Sequence, residues 1–137
     1  MTILRGHFAM TLVVSLEAPV QAVEQALAPL SADDSLAVFV RALPEEADDG
    51  GGGTPYLLTV HGGDRPGIVS AVTRVVADAG GNITDLTTRL VGDLYVVLAE
   101  VDLPDGTDIA PLEAALRSVG ESLGVGVTLR PGEPDVL

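Results

Sequence analysis

The residues with the most chemical potential form one run, His61-Gly62-Gly63-Asp64-Arg65-Pro66-Gly67-Ile68. Its glycines and proline mark a turn between an apolar strand and an amphipathic helix. At a helix start the backbone N–H groups lack intrahelical partners, and the local dipole favours an anion by about 0.3 to 1 kcal/mol. The carboxylate of an amino acid fits that description. Glycines let such a ligand approach the backbone closely. Asp64 could accept hydrogen bonds from an ammonium group, and Asn82, just past the helix, offers both a donor and an acceptor. The same residue types have a purely structural reading, with Asp64 capping the helix, Pro66 setting its first φ and Gly67 permitting tight helix-to-sheet packing. The run is not a dinucleotide fingerprint, because the glycines of G-x-G-x-x-G are missing.

Other candidates are weaker. His7 and His61 are the only histidines, one in a hairpin turn and one ending a strand, and a pair without a third ligand makes no metal or catalytic site. The acidic pairs Asp33-Asp34, Glu45-Glu46 and Asp48-Asp49 fall in loops with no reason to converge, and read as solvated surface. Cysteine is absent, which removes disulfides, thiolate nucleophiles and Cys-type metal sites. All seven basic residues are arginines, so Schiff-base chemistry and a P-loop are excluded too. No nucleophile is paired with a base oriented by a third group. The expectation is no catalytic residue, no metal, no cofactor and no enzyme.

With 20 acidic residues against 7 basic ones, the net charge is −13. That field argues against direct nucleic-acid binding and against an anionic membrane surface. No apolar run reaches the roughly 18 residues of a spanning helix. The N-terminus MTILRGHFAM has no basic start, apolar core and cleavage site, so a cytoplasmic location is expected. The chain is 47% hydrophobic but only 3% aromatic, which calls for a globular core of Val, Leu, Ile and Ala. Its 137 residues suffice for two units of about 70 residues, and units that small lean on a neighbour.

The elements that position the turn follow from periodicity. Residues 42–55, ALPEEADDGGGGTP, combine four acidic residues with four consecutive glycines and read as a flexible linker. The parts on either side of it repeat. Thr2, Leu4, Gly6 and Leu12 match Thr88, Leu90, Gly92 and Leu98. After a three-residue gap, Glu24, Ala26 and Leu27 match Glu113, Ala115 and Leu116, and Val38 and Arg41 match Val127 and Arg130.

In the second part, 56–60 reads as a buried strand and HGGDRPG as a turn. From Pro66 to Ala79 the residues Ile68, Val69, Val72, Val75, Val76 and Ala79 form one helical stripe, stopped by Gly80 and Gly81. Strands follow at 82–90 and 94–102 around a turn at Gly92. A helix capped by Asp108 spans 109–123 with Leu112, Leu116, Val119 and Leu123 on one face, and GVGVTLR closes the unit as a strand.

The order βαββαβ predicts an α+β, ferredoxin-like unit over 56–130, an antiparallel sheet with helices on one face, followed by a tail at 131–137. The first part, 1–41, retains only ββαβ: strands at 2–5 and 8–16, a helix at about 20–30 and a strand at 36–41. The repeat maps residues 56–86 onto positions before Met1, so this unit is expected to lack its first strand and helix. The missing strand would sit mid-sheet, and each buried backbone group left unpaired costs about 1 to 3 kcal/mol. A second copy of the chain is expected to cover the gap, as a homodimer.

The chain resembles the ACT family. Gly62 with Asp64-Arg65-Pro66-Gly67-Ile68 matches its G-x-D-R-P-G-[IL] turn, and Gly81-Asn82-Ile83 with Asp85, then Gly92, match its second strand and hairpin. Two such units in a short chain resemble the glycine cleavage system transcriptional repressor group. The resemblance implies a small effector, often an amino acid, held where the first turn of one unit meets the second strand of a neighbour. It nominates Asp64, Arg65, Pro66, Gly67, Ile68 and Asn82 as ligand-binding residues, with the strand beginning Thr2-Ile3-Leu4 as a possible wall. It implies a regulatory protein that senses an effector and acts through a protein partner, plausibly in transcriptional regulation of amino-acid or one-carbon metabolism. Two alternatives stand beside it. One is a ligand-free oligomerisation or interaction module. The other is a regulatory fragment of an enzyme, against which the absence of a catalytic domain speaks.

Overall fold

The computed structural model describes residues 1–44 and 53–132, which fall into two separate units. In 53–132, strand β3 (Thr54–Gly63) leads to helix α2 (Ile68–Asp78), strands β4 (Asn82–Val91) and β5 (Leu94–Leu103), helix α3 (Ile109–Leu123) and strand β6 (Val125–Pro131). The labels β1, β2 and α1 belong to residues 1–44, below. All three strand pairings are antiparallel, in the order β4-β5-β3-β6. This is the ferredoxin-like α+β arrangement that the sequence pattern predicts.

The core comes from two periodicities meeting. On β3 the alternate residues Leu58 and Val60 are buried, and on β5 Val97, Ala99, Val101 and Leu103. Ile68, Val72 and Val76, spaced by four along α2, and Leu112 and Leu116 on α3 close over them. None of the buried residues is aromatic, in line with the composition, and Tyr56 and Tyr95 pack half-buried against this core.

The boundaries depart from expectation in informative ways. Strand β3 runs to Gly63 because it is paired on both sides, Gly62 with Tyr95 and with Val125. It therefore takes His61-Gly62-Gly63 out of the expected turn. Helix α2 starts at Ile68, two residues after Pro66. On α3 the buried line is Leu112, Leu116 and Gly120, with Val119 and Leu123 only half-buried. A Cβ at Gly120 would lie 2.7 Å from the Val125 carbonyl oxygen and 2.9 Å from Val127 Cγ2. The glycine lets the helix press onto β6. Asp108 occupies the N-cap position of α3 but makes no side-chain capping bond.

In 1–44, β1 (Thr2–Leu4) and β2 (His7–Ala9) form a hairpin, followed by α1 (Val20–Leu27) and a 3-10 turn over Ala28–Ser31. Arg5 and Gly6 both have positive φ, 48° and 80°, as a tight hairpin turn of the primed type requires. The strand expected over 8–16 stops at Ala9, and 36–41 forms no strand. The segments that the expected repeat sets against them, in β5 and β6, are each paired to β3, and residues 1–44 contain no strand that could play that part. An unpaired extended segment has no ladder to hold it. None of these residues is buried. Val20, Val23 and Leu27 make a half-buried stripe on α1. Residues 45–52 of the expected linker, with the acidic pairs at 45–46 and 48–49, lie outside the described residues, as does the tail at 133–137. No helix among the described residues is long and apolar enough to cross a membrane.

Candidate functional site

The turn between β3 and α2 consists of Asp64, Arg65, Pro66 and Gly67. Gly67 is the N-cap of α2 and has φ +89°, a left-handed value that a side chain resists. No side chain caps the helix. Asp64 stands three residues ahead of the N-cap and does not take the capping role of the structural reading. Pro66 precedes the N-cap and so does not set the first helical φ. The Gly67 carbonyl accepts from the Ala71 N–H at 3.0 Å. The N–H groups of Ile68, Val69 and Ser70, which no residue of the helix can satisfy, are left for water or a ligand.

The other turn residues divide by role. Ile68 is 2% exposed and packs in the core, so its side chain is not available and only its backbone could meet a ligand. Arg65 is exposed, and its guanidinium lies beside the C-terminal end of α3. A Cβ on Gly124 would lie 3.4 Å from Arg65 Cζ and Nη1. Gly124 is the C-cap of α3, its N–H donating to the carbonyls of Gly120 and Glu121. The cation therefore sits at the negative end of that helix.

Asn82 opens β4, exposed, beside a groove of about 510 Å³ whose lining includes Ser70, Thr73, Arg74, Ala77 and Gly81. The α2 residues 70, 73, 74 and 77 follow helical spacing on the side away from the core stripe. Sequence reading passed over them, although that spacing was visible. Arg74 is the cation of the groove, while the Thr73 hydroxyl is engaged by the Val69 carbonyl at 2.8 Å. A second void, of about 10 Å³, lies under α2 between residues such as Val72, Leu86 and Ala99. It is too small and apolar for a ligand or an ordered water.

The sheet register separates the two halves of the nominated site. Asn82 is level with Asp102 and Pro55, whereas Gly63, which leads into the turn, is level with Leu94 and Val91. From Pro55 to Gly63 an extended strand covers roughly 26 Å. Within one unit, Asp64 and Asn82 stand at opposite ends of the sheet and cannot share a small ligand. Among the described residues no three His, Asp or Glu side chains gather as a metal would need.

The sequence model of the ACT domain family matches residues 54–130, more than half of the chain. A UPF0237 protein of Methanopyrus kandleri is 36% identical over 78 residues, which are 56% of this chain and 87% of that protein. Two solved structures share the fold. An ACT domain protein from Streptococcus pneumoniae has a TM-score of 0.53 and 25% identity, over 58% of this chain and 90% of that one. A proposed glycine cleavage system transcriptional repressor has a TM-score of 0.54 and 26% identity, over 61% of this chain and 48% of that one.

Proposed function

Since this chain belongs to the ACT domain family, we propose that it is a non-catalytic regulatory module that binds an amino acid and passes the binding on to a protein partner. The observation that carries the reading is the start of α2. A left-handed glycine with no side-chain cap leaves the first N–H groups of the helix to a carboxylate, and the Asp64 carboxylate nearby suits an ammonium group. Pro66 and Gly67 shape the cradle, Ile68 contributes its backbone, and Arg65 holds the turn to α3. Because Asn82 stands at the far end of the sheet, it completes the site of a neighbouring unit, and the ligand joins two units. A role in transcriptional regulation of the glycine cleavage type and a cytoplasmic place of work belong to the same proposal, supported by the likeness to the repressor.

The test is a thermal melt of the full chain against each of the twenty amino acids. A ligand at 100 times its dissociation constant stabilises by about 2.7 kcal/mol, which raises the midpoint of a unit this size by about 10 °C or more. One amino acid should do so selectively, and Asp64→Ala and Asn82→Ala should each abolish the shift while leaving the unliganded midpoint unchanged. No shift with any amino acid, or a shift that survives Asp64→Ala, would remove the sensing role and leave a ligand-free interaction module.

A further inference from the structure

The groove between α2 and the start of β4 carries a single charge, and that charge is positive: Arg74. The chain as a whole has 20 acidic residues and 7 basic ones, so a groove whose lining includes an arginine and no carboxylate runs against its composition. The two ordinary roles of a helical arginine do not account for Arg74. Helix α2 ends at Asp78 with no basic residue in its last turn, and a cation complements the helix dipole only within that turn. Asp78 follows Arg74 by four residues, but a base ahead of an acid is the weaker order for a helical pair. Asp78 is outside the lining, as is Asp102, the residue of β5 level with Asn82.

We propose that Arg74 is the specificity-determining residue of the effector site, and that the effector is an amino acid with an anionic side chain. The proposal rests on the ligand reading above. In that reading the α-carboxylate and ammonium of the effector are held by the turn of a neighbouring unit, and Asn82 completes the site. The side chain then enters the groove beside Asn82, where hydrogen-bond donors outnumber acceptors. Arg74 presents a planar fork of N–H groups that stays charged at any physiological pH. Asn82 adds its amide N–H groups and Ser70 a hydroxyl. The Thr73 hydroxyl already donates to the Val69 carbonyl at 2.8 Å and has no proton left to offer.

An aliphatic side chain would leave these donors without partners, and a lysine or arginine side chain would be repelled by Arg74. A carboxylate or a phosphate can take two N–H groups of one guanidinium in parallel, the strong form of this contact. The groove, about 510 Å³, falls in the size range of small-molecule sites. Specificity is a difference of affinities, so an acid compared with its neutral isostere isolates what Arg74 contributes.

Isothermal titration calorimetry of the full chain tests it, with aspartate, glutamate and O-phosphoserine each set against its neutral counterpart asparagine, glutamine or serine. One of the three anions should bind at least tenfold more tightly than its counterpart, and which one does so identifies the group. Arg74→Gln should bring that pair within threefold of each other, leaving the affinity of the neutral member and the unliganded melting midpoint unchanged, since Arg74 is exposed. Arg74→Lys, which keeps the charge and loses the fork, should retain part of the preference. Equal binding of acid and counterpart by the parent chain, or a preference that survives Arg74→Gln, would overturn the proposal. So would selective binding of a neutral or basic amino acid that Arg74→Gln does not alter, and that result would leave the sensing role standing. Silence from every amino acid would overturn both. Acid binding that requires Arg74 yet survives Asp64→Ala would uphold the assignment of Arg74 and overturn the site shared between two units.

Discussion

Arg65 and Ile68 belong to one sequence motif and meet opposite environments, one beside the end of α3 and one in the core. A motif therefore does not make all its residues contacts: some hold the turn in shape so that others can act. Asp33 gives a second case at this scale. Its carboxylate accepts from the Ser35 hydroxyl at 2.6 Å and from the Ser35 N–H at 3.1 Å. These bonds, the hydroxyl first, hold its pKa below the ordinary aspartate value of 3.8. A depressed folded-state pKa stabilises the turn above the unfolded pKa, and that contribution is lost as pH falls through the folded value. NMR titration should give an Asp33 midpoint below 3.8 that rises in Ser35→Ala. An unchanged midpoint in the variant would deny the hydroxyl its role.

At the scale of elements, contact between α3 and β6 turns on a missing side chain. Alanine at Gly120 would gain about 1 kcal/mol in helix propensity. Its Cβ would also press on a carbonyl oxygen 2.7 Å away, which only movement of the backbone can relieve, and overpacking of that kind costs about 1 to 3 kcal/mol. Since the contact is with backbone, the clash wins. Gly120→Ala should lower the denaturation midpoint by the equivalent of about 1 kcal/mol, read from urea titration with an unchanged slope. A midpoint at or above that of the parent chain would show that α3 can lift away freely. Leu112 and Leu116 were legible in the sequence as the buried face, because they are large and apolar at the right spacing. Gly120 was not, because a glycine has no side chain to reveal which neighbour it admits.

For the molecule as a whole, the two units differ in what they bury. Residues 54–131 enclose a core whose largest members are under 2% exposed, while none of residues 1–44 is buried. Amide protection follows burial and ladder pairing. Hydrogen exchange should therefore find the amides of β3 and β5 among the slowest in the chain. Those of residues 10–16 and 36–41 should exchange at close to the rate of an unstructured peptide, in the full chain without partners. Protection of 10–16 comparable to that of β5 would mean that this segment is paired after all. The repeat predicts that the two units are related. That the first keeps only a three-residue hairpin pairing could be learned only from the structure, since a strand exists only with its partner.

The sequence alone was enough for the ACT-type order of elements, the position of the β3–α2 turn and the choice of α2 and α3 core faces. All of these depend on local spacing and residue type, which the chain carries in its own order. The tertiary structure alone decided that Gly67 rather than Asp64 begins α2, that Arg65 leans on α3, and that Asp64 and Asn82 stand at opposite ends of the sheet. The first two depend on how the turn packs beside the helices, and the placing of Asp64 and Asn82 depends on the register between strands far apart in sequence, which is set by pairing and packing across the sheet.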